Sequence, residues 1–506
     1  MSYLLAHDVG TSGDKAVLLS TEGDVVTKDF EPYPTHYPHR LWAEQDPEEL
    51  WNAVGTTTRR VLQTSGVQPK DIIALSLSSQ MVNAILLDEK GVPLRPAINW
   101  LDGRAVDEAG IVVRKLGGPR IFAMLVGVAL TGKDLLPKYL WLKRNEPEVY
   151  ENASTIFDVS GYILMRATGR LCYEWSTASV TGFFNLKSKS WDKTLMRYFG
   201  IDKSKFPELV QSYEQVGGLT KEAASSLGLL ESTPVIAGAG DAMCVAVGSG
   251  AVLNRDAHLC LGTSGFVGVI TNRRVTGRRG IATLQFADPD KLLLIGETET
   301  CGECLRWAAR ELYGTQPGHP AYAHMDEVVA ETSPGSGGMI FAPWMYGERS
   351  PVADERVRAS FINIGANHTR AQMTRSIYEG VSYNLRWILE TIADQYGFQS
   401  DPLRVIGGGA RGQPWLRIVS DVTGRTLEVV PHPQEAAAIG AALLGGVGMG
   451  VFPSIEAVKQ LIQPSLTVTP DASHKETYDE LYSAFQEIYG SLRGIYHDLN
   501  RPPEKV

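Results

Sequence analysis

The chain has 506 residues and a formal net charge of −9, with 43% hydrophobic and 21% charged residues. At about 150 residues per domain, this length predicts at least two sizeable domains, and the ordinary globular composition excludes a disordered chain. Lys and Arg are scattered instead of clustered, so the sequence lacks the basic stripe that a nucleic-acid partner requires.

A tetrapeptide, GTSG, occurs near the start of each half, at residues 10–13 and at residues 262–265. The first copy lies between the apolar segments YLLAHD and KAVLLS, and the chain continues through Glu22 and Gly23 into VVTKDF, a predicted third antiparallel strand. The second copy lies between HLCL and FVGVI. Apolar segments on both sides of a Gly-rich turn predict a hairpin, so we expect two hairpins with the same tip.

Further elements of the first half alternate between helix and strand. Asp46 is a good N-cap and Pro47 suits the first helical position, so a helix is predicted to begin here. The segments IALSLS, AILLD and PVIAGAG are typical of strands. Asp241 directly follows the last of these segments, where it is a candidate N-cap for a helix over AMCVAVG.

In the second half, LLLIGE and LRVIGG are predicted strands, and apolar periodicity predicts helices over residues 369–396 and after Gln413. The uncharged run 436–452 is short for a membrane span and rich in Gly and Ala, so a buried helix and turn are expected. Strands and helices in both halves predict two α/β domains, residues 1–248 and 249–506. Five cysteines form no disulfide framework and no signal peptide is visible, so we expect a cytoplasmic protein without membrane contact.

The two GTSG turns are candidate phosphate sites. Gly, Thr and Ser expose backbone N–H groups and hydroxyls without bulky side chains, which lets phosphate oxygens approach. Two such turns in matching contexts would contact one polyphosphate from opposite sides, with Lys15 adding a positive charge. The candidate residues are Thr11, Ser12 and Lys15 at the first copy and Gly262 and Thr263 at the second.

Two carboxylates follow predicted strands. Asp8 lies at a strand end directly before the first GTSG turn, a place suited to holding Mg²⁺ through water beside the phosphates. The alternative for Asp8 is that it only caps the turn. Asp241 follows an apolar strand and a Gly-rich turn, which indicates the floor of a cleft. It is the candidate general base, provided that it reaches a substrate hydroxyl within hydrogen-bond distance.

The segment LRVIGGGARGQPW offers a different function. Gly407, Gly409 and Gly412 have the GxGxxG spacing of dinucleotide sites, and Glu428 is a candidate ribose ligand, which would make the protein an NAD-dependent oxidoreductase. Against this interpretation, Glu428 lies inside a predicted strand and the motif comes late in the chain. The same glycines would also let adenine lie flat against a helix start.

A metal site is the other alternative. Cys301 and Cys304 form a CxxC pair, and His258 and Cys260 would complete four zinc ligands. The sequence contains no second CxxC pair. Ordinary packing is therefore the better account of these residues.

Ten segments in chain order resemble the FGGY family of carbohydrate kinases, and within it the xylulokinases. They are HDVGTSGDKAVLLS, AEQDPEELW, LSSQM, NWLDGR, PKYLWLKRNEPE, AGAGDA, LGTSG, GERSP, IYEGVSYNLR and VIGGGARGQPW. The resemblance implies two related domains of the actin-like ATPase (ribonuclease H-like) fold, which close on ATP and a small-molecule sugar or polyol. A superfamily member that uses ATP only to change conformation is the alternative, and a homodimer is left open.

The resemblance also implies a role for each candidate residue. Asp241 matches the catalytic base, and Asp8 matches the catalytic carboxylate near the metal, Mg²⁺. Both GTSG turns would contact ATP, together with Gly302, Gly408, Gly409, Ala410 and Gln413. The residues that would contact the sugar are Gln80, Met81, Trp100, Asp102 and Asp241.

Two positions depart from the family pattern. Xylulokinases resemble QMH where this chain has Gln80, Met81 and Val82, and family members tend to carry Asn or Gln where it has Ala242. Each change removes a group that would bond a sugar hydroxyl. A site built to pair a hydroxyl discriminates strongly when the partner is lost, so these changes are expected to alter which ketose or polyol is accepted.

Overall fold

The computed structural model describes residues 2–118, 130–273, 275 and 279–501, and each half of the chain contains one large mixed sheet. The strands of the first half are β1 (Tyr3–Val9), β2 (Gly13–Ser20), β3 (Val25–Pro32), β4 (Glu44–Gln45), β5 (Ile72–Ser79), β6 (Ile85–Leu87), β7 (Ala97–Ile98), β8 (Thr155–Phe157), β9 (Cys172–Glu174), β10 (Phe184–Asn185), β11 (Ser190–Trp191), β12 (Glu208–Val210), β13 (Gln215–Gly218) and β14 (Pro234–Gly240). Its helices are α1 (Pro47–Ser65), α2 (Val106–Lys115), α3 (Leu135–Asn145), α4 (Pro147–Asn152), α5 (Val159–Thr168), α6 (Trp175–Ser179), α7 (Lys193–Phe199), α8 (Lys221–Leu227) and α9 (Asp241–Ser249).

The second half follows the same scheme. Its strands are β15 (Ala257–Leu261), β16 (Gly265–Thr271), β17 (Ile281–Gln285), β18 (Leu292–Thr298), β19 (Ile340–Ala342), β20 (Ser360–Ile362), β21 (Leu403–Ile406), β22 (Leu427–Val429) and β23 (Leu466–Val468). Its helices are α10 (Gly302–Glu311), α11 (His319–Glu331), α12 (Arg370–Tyr396), α13 (Gln413–Thr423), α14 (Ala436–Gly448) and α15 (Lys475–Leu499). Short 3₁₀ helices lie at Pro69–Asp71, Lys203–Lys205, Ser336–Gly338, Gly408–Arg411, Ala457–Leu461 and Ala472–His474.

The two large sheets share one topology, except that the second has an additional edge strand, β17. The strand order is β13-β14-β5-β1-β2-β3 in the first and β17-β18-β16-β15-β21-β22-β23 in the second. Each contains three neighbouring antiparallel strands, β3-β2-β1 or β18-β16-β15. Two strands parallel to the last of these follow, β5 and β14 or β21 and β22. The molecule is therefore a doubled α/β fold, as predicted.

The predicted hairpins and the predicted starts of two helices, α1 and α12, are confirmed. The first GTSG turn joins β1 to β2, and the second joins β15 to β16. Asp46 caps α1 by accepting the N–H of Glu48 at 2.9 Å, and Thr369 caps α12 in a capping box with Gln372. The apolar run 436–452 contains the buried helix α14. Within the described ranges, no helix is long and apolar enough to cross a membrane.

The segment AILLD contains the predicted strand, β6, which pairs with β8 outside the six-stranded sheet. One local feature differs from the predictions. The N-cap of α9 is Gly240, not Asp241. Gly240 still has extended backbone angles, so helical geometry begins one residue later, at Asp241.

Three buried apolar clusters stabilise the fold, and one of them joins the two halves. In this cluster α14 packs against α9 and against β1 and β5. A Cβ on Gly248 would lie 1.8 Å from the Ala436 carbonyl oxygen, and one on Gly440 would lie 1.8 Å from the Cys244 carbonyl oxygen. Only glycine allows the two helix backbones to come this close.

Replacing Gly440 by Ala tests this helix contact. The added Cβ has no room against the Cys244 carbonyl group, so we expect a loss of about 1–3 kcal/mol in the free energy of unfolding. Gly490 is the matched control, because it lies in α15 with nothing within 4 Å of a Cβ. Gly490→Ala should stabilise the protein by up to about 1 kcal/mol. Equal unfolding temperatures of the two variants would contradict the close contact.

Candidate active site

Three parallel strands of the first sheet end at one edge, and a predicted site residue lies at each end. Asp8 is the penultimate residue of β1, Gln80 directly follows β5, and Asp241 directly follows β14. The parallel register places Asp8 opposite Ser78 of β5. Ligands of α/β proteins bind at the carboxyl ends of parallel strands, so this edge is the candidate active site.

Asp241 is partly exposed at the start of α9. Its Oδ1 accepts the N–H of Ala242 at 2.7 Å. Burial and the negative charges of Asp8 and Glu297 raise the pKa of Asp241 to about 7. A carboxylate with this pKa is suited to taking up a proton near neutral pH.

Asp8 is held in place at the end of β1. Ser78 Oγ donates to its Oδ1 at 2.9 Å. Burial raises the pKa of Asp8 above its usual range, whereas the charge of Lys15, opposite it in β2, acts in the other direction. Asp8 and Asp241 thus form a pair of like charges at one edge of the sheet.

A buried polar cluster lies beneath the first GTSG turn. His7 Nδ1 and Asp14 Oδ2 are 2.8 Å apart, and Thr57 Oγ1 donates to the same oxygen at 2.5 Å. Thr58 Oγ1 lies 3.1 Å from His7 Nε2. All four side chains are fully buried. The cluster ties β1 and β2 to α1, and so fixes the turn beside Asp8.

The first GTSG turn lies between the sugar-side residues and the second half of the chain. The indole Nε1 of Trp100 donates to Thr11 Oγ1 at 2.8 Å. Lys15 Nζ donates across the cleft to the carbonyl oxygen of Gln434. Ser12 is exposed at the tip of the turn. The turn is therefore open to a ligand in the cleft. Hydrogen bonds also connect it to residues on both sides of the cleft.

The second GTSG turn contacts the start of α10. The N–H of Gly302 donates to the Gly262 carbonyl oxygen at 2.8 Å, and the N–H of Glu303 donates to that of Thr263 at 3.0 Å. A Cβ on Gly302 would lie 2.7 Å from the Gly262 carbonyl oxygen. Gly302 therefore allows α10 to approach the turn closely, which fixes the position of the turn.

The glycine-rich turn after β21 lies beside the second GTSG turn, because β15 and β21 are parallel neighbours. A Cβ on Gly409 would lie 2.5 Å from the ring of Trp415, so the turn packs tightly against α13. Gly408 and Ala410 lie in the same turn, and Gln413 begins α13. Ala410 and Gln413 line a cavity of about 300 Å³. The predicted nucleotide residues of the second half are thus brought together.

Two residues that are predicted to contact the sugar form buried hydrogen bonds within the protein. Gln80 is 1% exposed, and its amide bonds to the amides of Gln45 at 2.8 Å and Asn99 at 3.0 Å. Asp102 is fully buried, and both of its oxygens accept from Arg104. These contacts hold the loops on this side of the cleft.

The wall beside Asp241 is apolar. Met81 is 8% exposed and packs against Gly240, where a Cβ would lie 2.4 Å from the Met81 sulfur. Val82 and Ala242, the two departures from the family pattern, are both partly exposed. Neither offers a hydrogen bond to a sugar hydroxyl.

Four charged residues that were not predicted also border the cleft. The Arg349 guanidinium lies 5.9 Å from the Trp100 ring and pairs with Glu297 and Glu299, at 2.6 Å each. Lys133 Nζ lies 3.9 Å from Glu299 Oε1. Among the segments that resemble the family, GERSP contains Arg349, and the predicted strand LLLIGE ends in Glu297.

The structure offers little support for the two alternative sites. Glu428 lies inside β22 and pairs with Arg404 at 3.1 Å, so it is not free to bind a ribose. In the described part of the chain, no three His, Cys, Asp or Glu side chains are placed to hold a metal ion. Burial lowers the pKa of His258 to about 3, and neither of its ring nitrogens has a hydrogen-bond partner among the described residues.

Comparisons with known proteins identify relatives of the whole chain. Models of the N-terminal and C-terminal domains of the FGGY family of carbohydrate kinases match residues 3–248 and 257–449. A xylulose kinase of Staphylococcus epidermidis is 29% identical and a gluconokinase of Bacillus subtilis is 31% identical, each over 98% of both chains. The crystal structure of a xylulose kinase from Rhodospirillum rubrum is similar with a TM-score of 0.89 and 27% identity, covering 98% of this chain and 100% of that chain.

The raised pKa of Asp241 makes the stability of the protein depend on pH. Its pKa of about 7 in the folded protein lies above the value of about 4 expected in the unfolded chain. Between these pH values the folded protein keeps a proton that the unfolded chain has released. The contribution of Asp241 to the free energy of unfolding therefore falls as pH rises towards 7, and is constant above it.

We accordingly expect Asp241→Asn to gain unfolding temperature relative to the wild type between pH 5 and pH 8. Asp498→Asn is the control for the substitution itself, because its carboxylate is 73% exposed on α15. Thermal unfolding at intervals of about half a pH unit measures both differences. A difference for Asp241→Asn that is equal at every pH would show that its pKa is not raised.

Proposed function

The chain belongs to the FGGY family of carbohydrate kinases, and from this premise we propose that Asp241 is the general base for phosphoryl transfer from ATP to a neutral ketose or polyol. Kinase activity follows from the family, whereas the base, the acceptor class and the ligand contacts are the proposal. The observation that carries it is the Asp241 carboxylate, with a pKa of about 7, at the edge where β1, β5 and β14 end.

In the proposed reaction an acceptor hydroxyl oxygen attacks the γ-phosphorus of ATP. As the new P–O bond forms, the bond from the γ-phosphorus to the β–γ bridging oxygen breaks, and ADP leaves with its electron pair. The hydroxyl proton passes to Asp241. Because Oδ1 already accepts the N–H of Ala242, we assign the proton to Oδ2.

The phosphates of ATP would lie between the two GTSG turns. Exposed Ser12 and the backbone of the first turn contact them from one side, and Thr263 contacts them from the other. Lys15 exchanges the Gln434 carbonyl oxygen for a phosphate oxygen, because a charge-assisted hydrogen bond is the stronger one. The cavity beside Ala410 receives the adenosine.

Magnesium fits the Asp8 side of this site. Mg²⁺ usually keeps several waters and binds one or two carboxylates together with substrate phosphates. Asp8 provides such a carboxylate, and Ser78 orients it. Burial raises the pKa of Asp8, and a bound cation would offset that effect. When bound, Mg²⁺ would neutralise phosphate charge, with Asp8 holding it through water.

Charge around Asp241 favours a neutral acceptor. Asp8 and Glu297 are close enough to raise the pKa of Asp241, and would therefore repel an acceptor carboxylate. The charge of Arg349 is offset by its pairs with Glu297 and Glu299. Gluconate is the second candidate acceptor, because the Bacillus subtilis gluconokinase is 31% identical to this chain.

The proposal divides the chain at residue 248. Residues 1–248 would supply the sugar side, the first phosphate turn and the base, and residues 249–506 would supply the adenosine side. A small-molecule sugar or polyol is the one partner that this reaction requires besides ATP.

A cytoplasmic location is proposed as well, since all five cysteines are free thiols.

Asp241→Asn tests the base directly. The substitution keeps the size of the side chain and removes the proton acceptor, so kcat for the best acceptor should fall by about 10²–10⁴-fold. ATP affinity, measured by titration calorimetry, should change little, because the proposed ATP contacts lie elsewhere. Full turnover by Asp241→Asn in an ADP-release assay would refute the base assignment. ADP release by the wild type that does not depend on any acceptor would instead favour a conformational ATPase.

A screen of ketopentoses, ketohexoses, polyols and gluconate tests the acceptor class. The best neutral acceptor should exceed gluconate in kcat/KM for the wild type. Glu297→Gln should shift that ratio towards gluconate by about fivefold, since one nearby charge contributes on the order of 1 kcal/mol. Glu331→Gln, an exposed carboxylate on α11, is the control and should leave the ratio unchanged. Gluconate as the best wild-type acceptor would overturn the charge argument.

A further inference from the structure

The turn at residues 80–83 has an unusual backbone conformation. Val82 adopts a φ of +66°, in the left-handed region, which is rare for residues with a Cβ and rarer still for β-branched ones. Glycine would adopt this conformation freely, yet the chain has Val here. Contacts around Val82 must therefore hold it in this conformation.

Two buried, oppositely charged side chains supply these contacts. Lys138, in α3, donates from Nζ to the carbonyl oxygens of Val82 at 3.0 Å and Asn99 at 2.8 Å. Asp158, the N-cap of α5, accepts the N–H of Val82 at 3.1 Å and that of Asn83 at 3.2 Å. Lys138 and Asp158 are both 0% exposed. The peptide groups on the two sides of Val82 are thus bonded to a buried carboxyl group and a buried amine.

Stability alone is a poor explanation for these two buried side chains. Burial lowers the pKa of Lys138 to about 7, although Asp102, Asp134 and Asp158 act in the other direction. Burial also raises the pKa of Asp158 to about 7. Burying an ionisable side chain costs free energy, which its bonds to the backbone must offset. A specific backbone conformation at residue 82 accounts better for the two charges.

The conformation of this turn affects the acceptor side of the site. Met81 packs against Gly240, which directly precedes the proposed base. Asn99, the second partner of Lys138, directly precedes Trp100. Lys138 therefore fixes the position of the 80–83 turn relative to the segment that carries Trp100.

We propose that Lys138 and Asp158 are positioning residues, which hold Val82 in the conformation that acceptor binding requires. This inference rests on the proposed function and on the expectation from the sequence that Met81 and Trp100 contact the acceptor. Neither charged side chain contacts the reacting atoms, because both act through the backbone. Loss of these contacts should raise KM for the acceptor and leave KM for ATP nearly unchanged.

Lys138→Met tests the inference, because Met keeps an unbranched, flexible side chain but donates no hydrogen bond. We expect KM for the best acceptor to rise by about tenfold or more, and KM for ATP to change by less than about twofold. Lys143→Met is the matched control. Lys143 lies in the same helix and donates to another backbone carbonyl oxygen, that of Gly200. The Lys143→Met substitution should leave both KM values unchanged.

A second substitution separates positioning from general destabilisation. Val82→Gly removes the Cβ that makes a φ of +66° unfavourable, so the turn should keep its conformation without Lys138. In the Val82→Gly background, Lys138→Met should raise the acceptor KM by less than about threefold. An equal rise in both backgrounds would overturn the positioning role.

Asp158→Asn is the independent variant, because it keeps the size of the side chain and one accepting oxygen. It should show the same rise in acceptor KM and the same rescue by Val82→Gly, with folding verified by thermal unfolding and ATP titration. A loss of folding that Val82→Gly does not rescue counts against the inference. If Asp241→Asn retains turnover, the proposed base is wrong. If Asp241→Asn is inactive while Lys138→Met leaves the acceptor KM unchanged, only the positioning role is wrong.

Discussion

The close contact between α9 and α14 is the constraint on which the site depends. Gly248 and Gly440 let the two helix backbones meet, and α14 also packs against β1 and β5 of the first sheet. Asp241 begins α9, whereas α14 begins two residues after Gln434, whose carbonyl oxygen accepts from Lys15. This direct contact between two helix backbones therefore fixes the position of α9, which begins with the proposed base, relative to the opposite wall of the cleft.

Ionisable side chains with shifted pKa values lie in the same half of the chain as the proposed base. Asp8 and Asp241 lie at one sheet edge with raised pKa values, and Lys138 and Asp158 are both fully buried and bond to the backbone around Val82. Arrangements of this kind are typical of functional sites, because ligand binding and proton transfer require charges in fixed places. Arg349, which connects Glu297 and Glu299 to the Trp100 side, extends the same arrangement across the cleft.

Local features of this fold could be predicted from sequence, whereas contacts between distant segments could not. The two GTSG hairpins, the helix capped by Asp46 and the carboxylate after PVIAGAG each depend on a few neighbouring residues. The Gly440 contact, the pairs of Arg349 and the bonds of Lys138 join residues far apart in sequence, and no local periodicity encodes them. The pattern NWLDGR likewise identifies a segment near the site, but not that Asp102 is fully buried against Arg104.

The most direct test of the central claim is a crystal structure of the ternary complex with the best acceptor and a non-hydrolysable ATP analogue. We predict that one acceptor hydroxyl lies about 2.6–3.2 Å from a carboxylate oxygen of Asp241 and faces the γ-phosphorus. A complex in which no acceptor hydroxyl reaches Asp241, or in which Glu297 takes that place, would contradict the assignment of Asp241 as the general base.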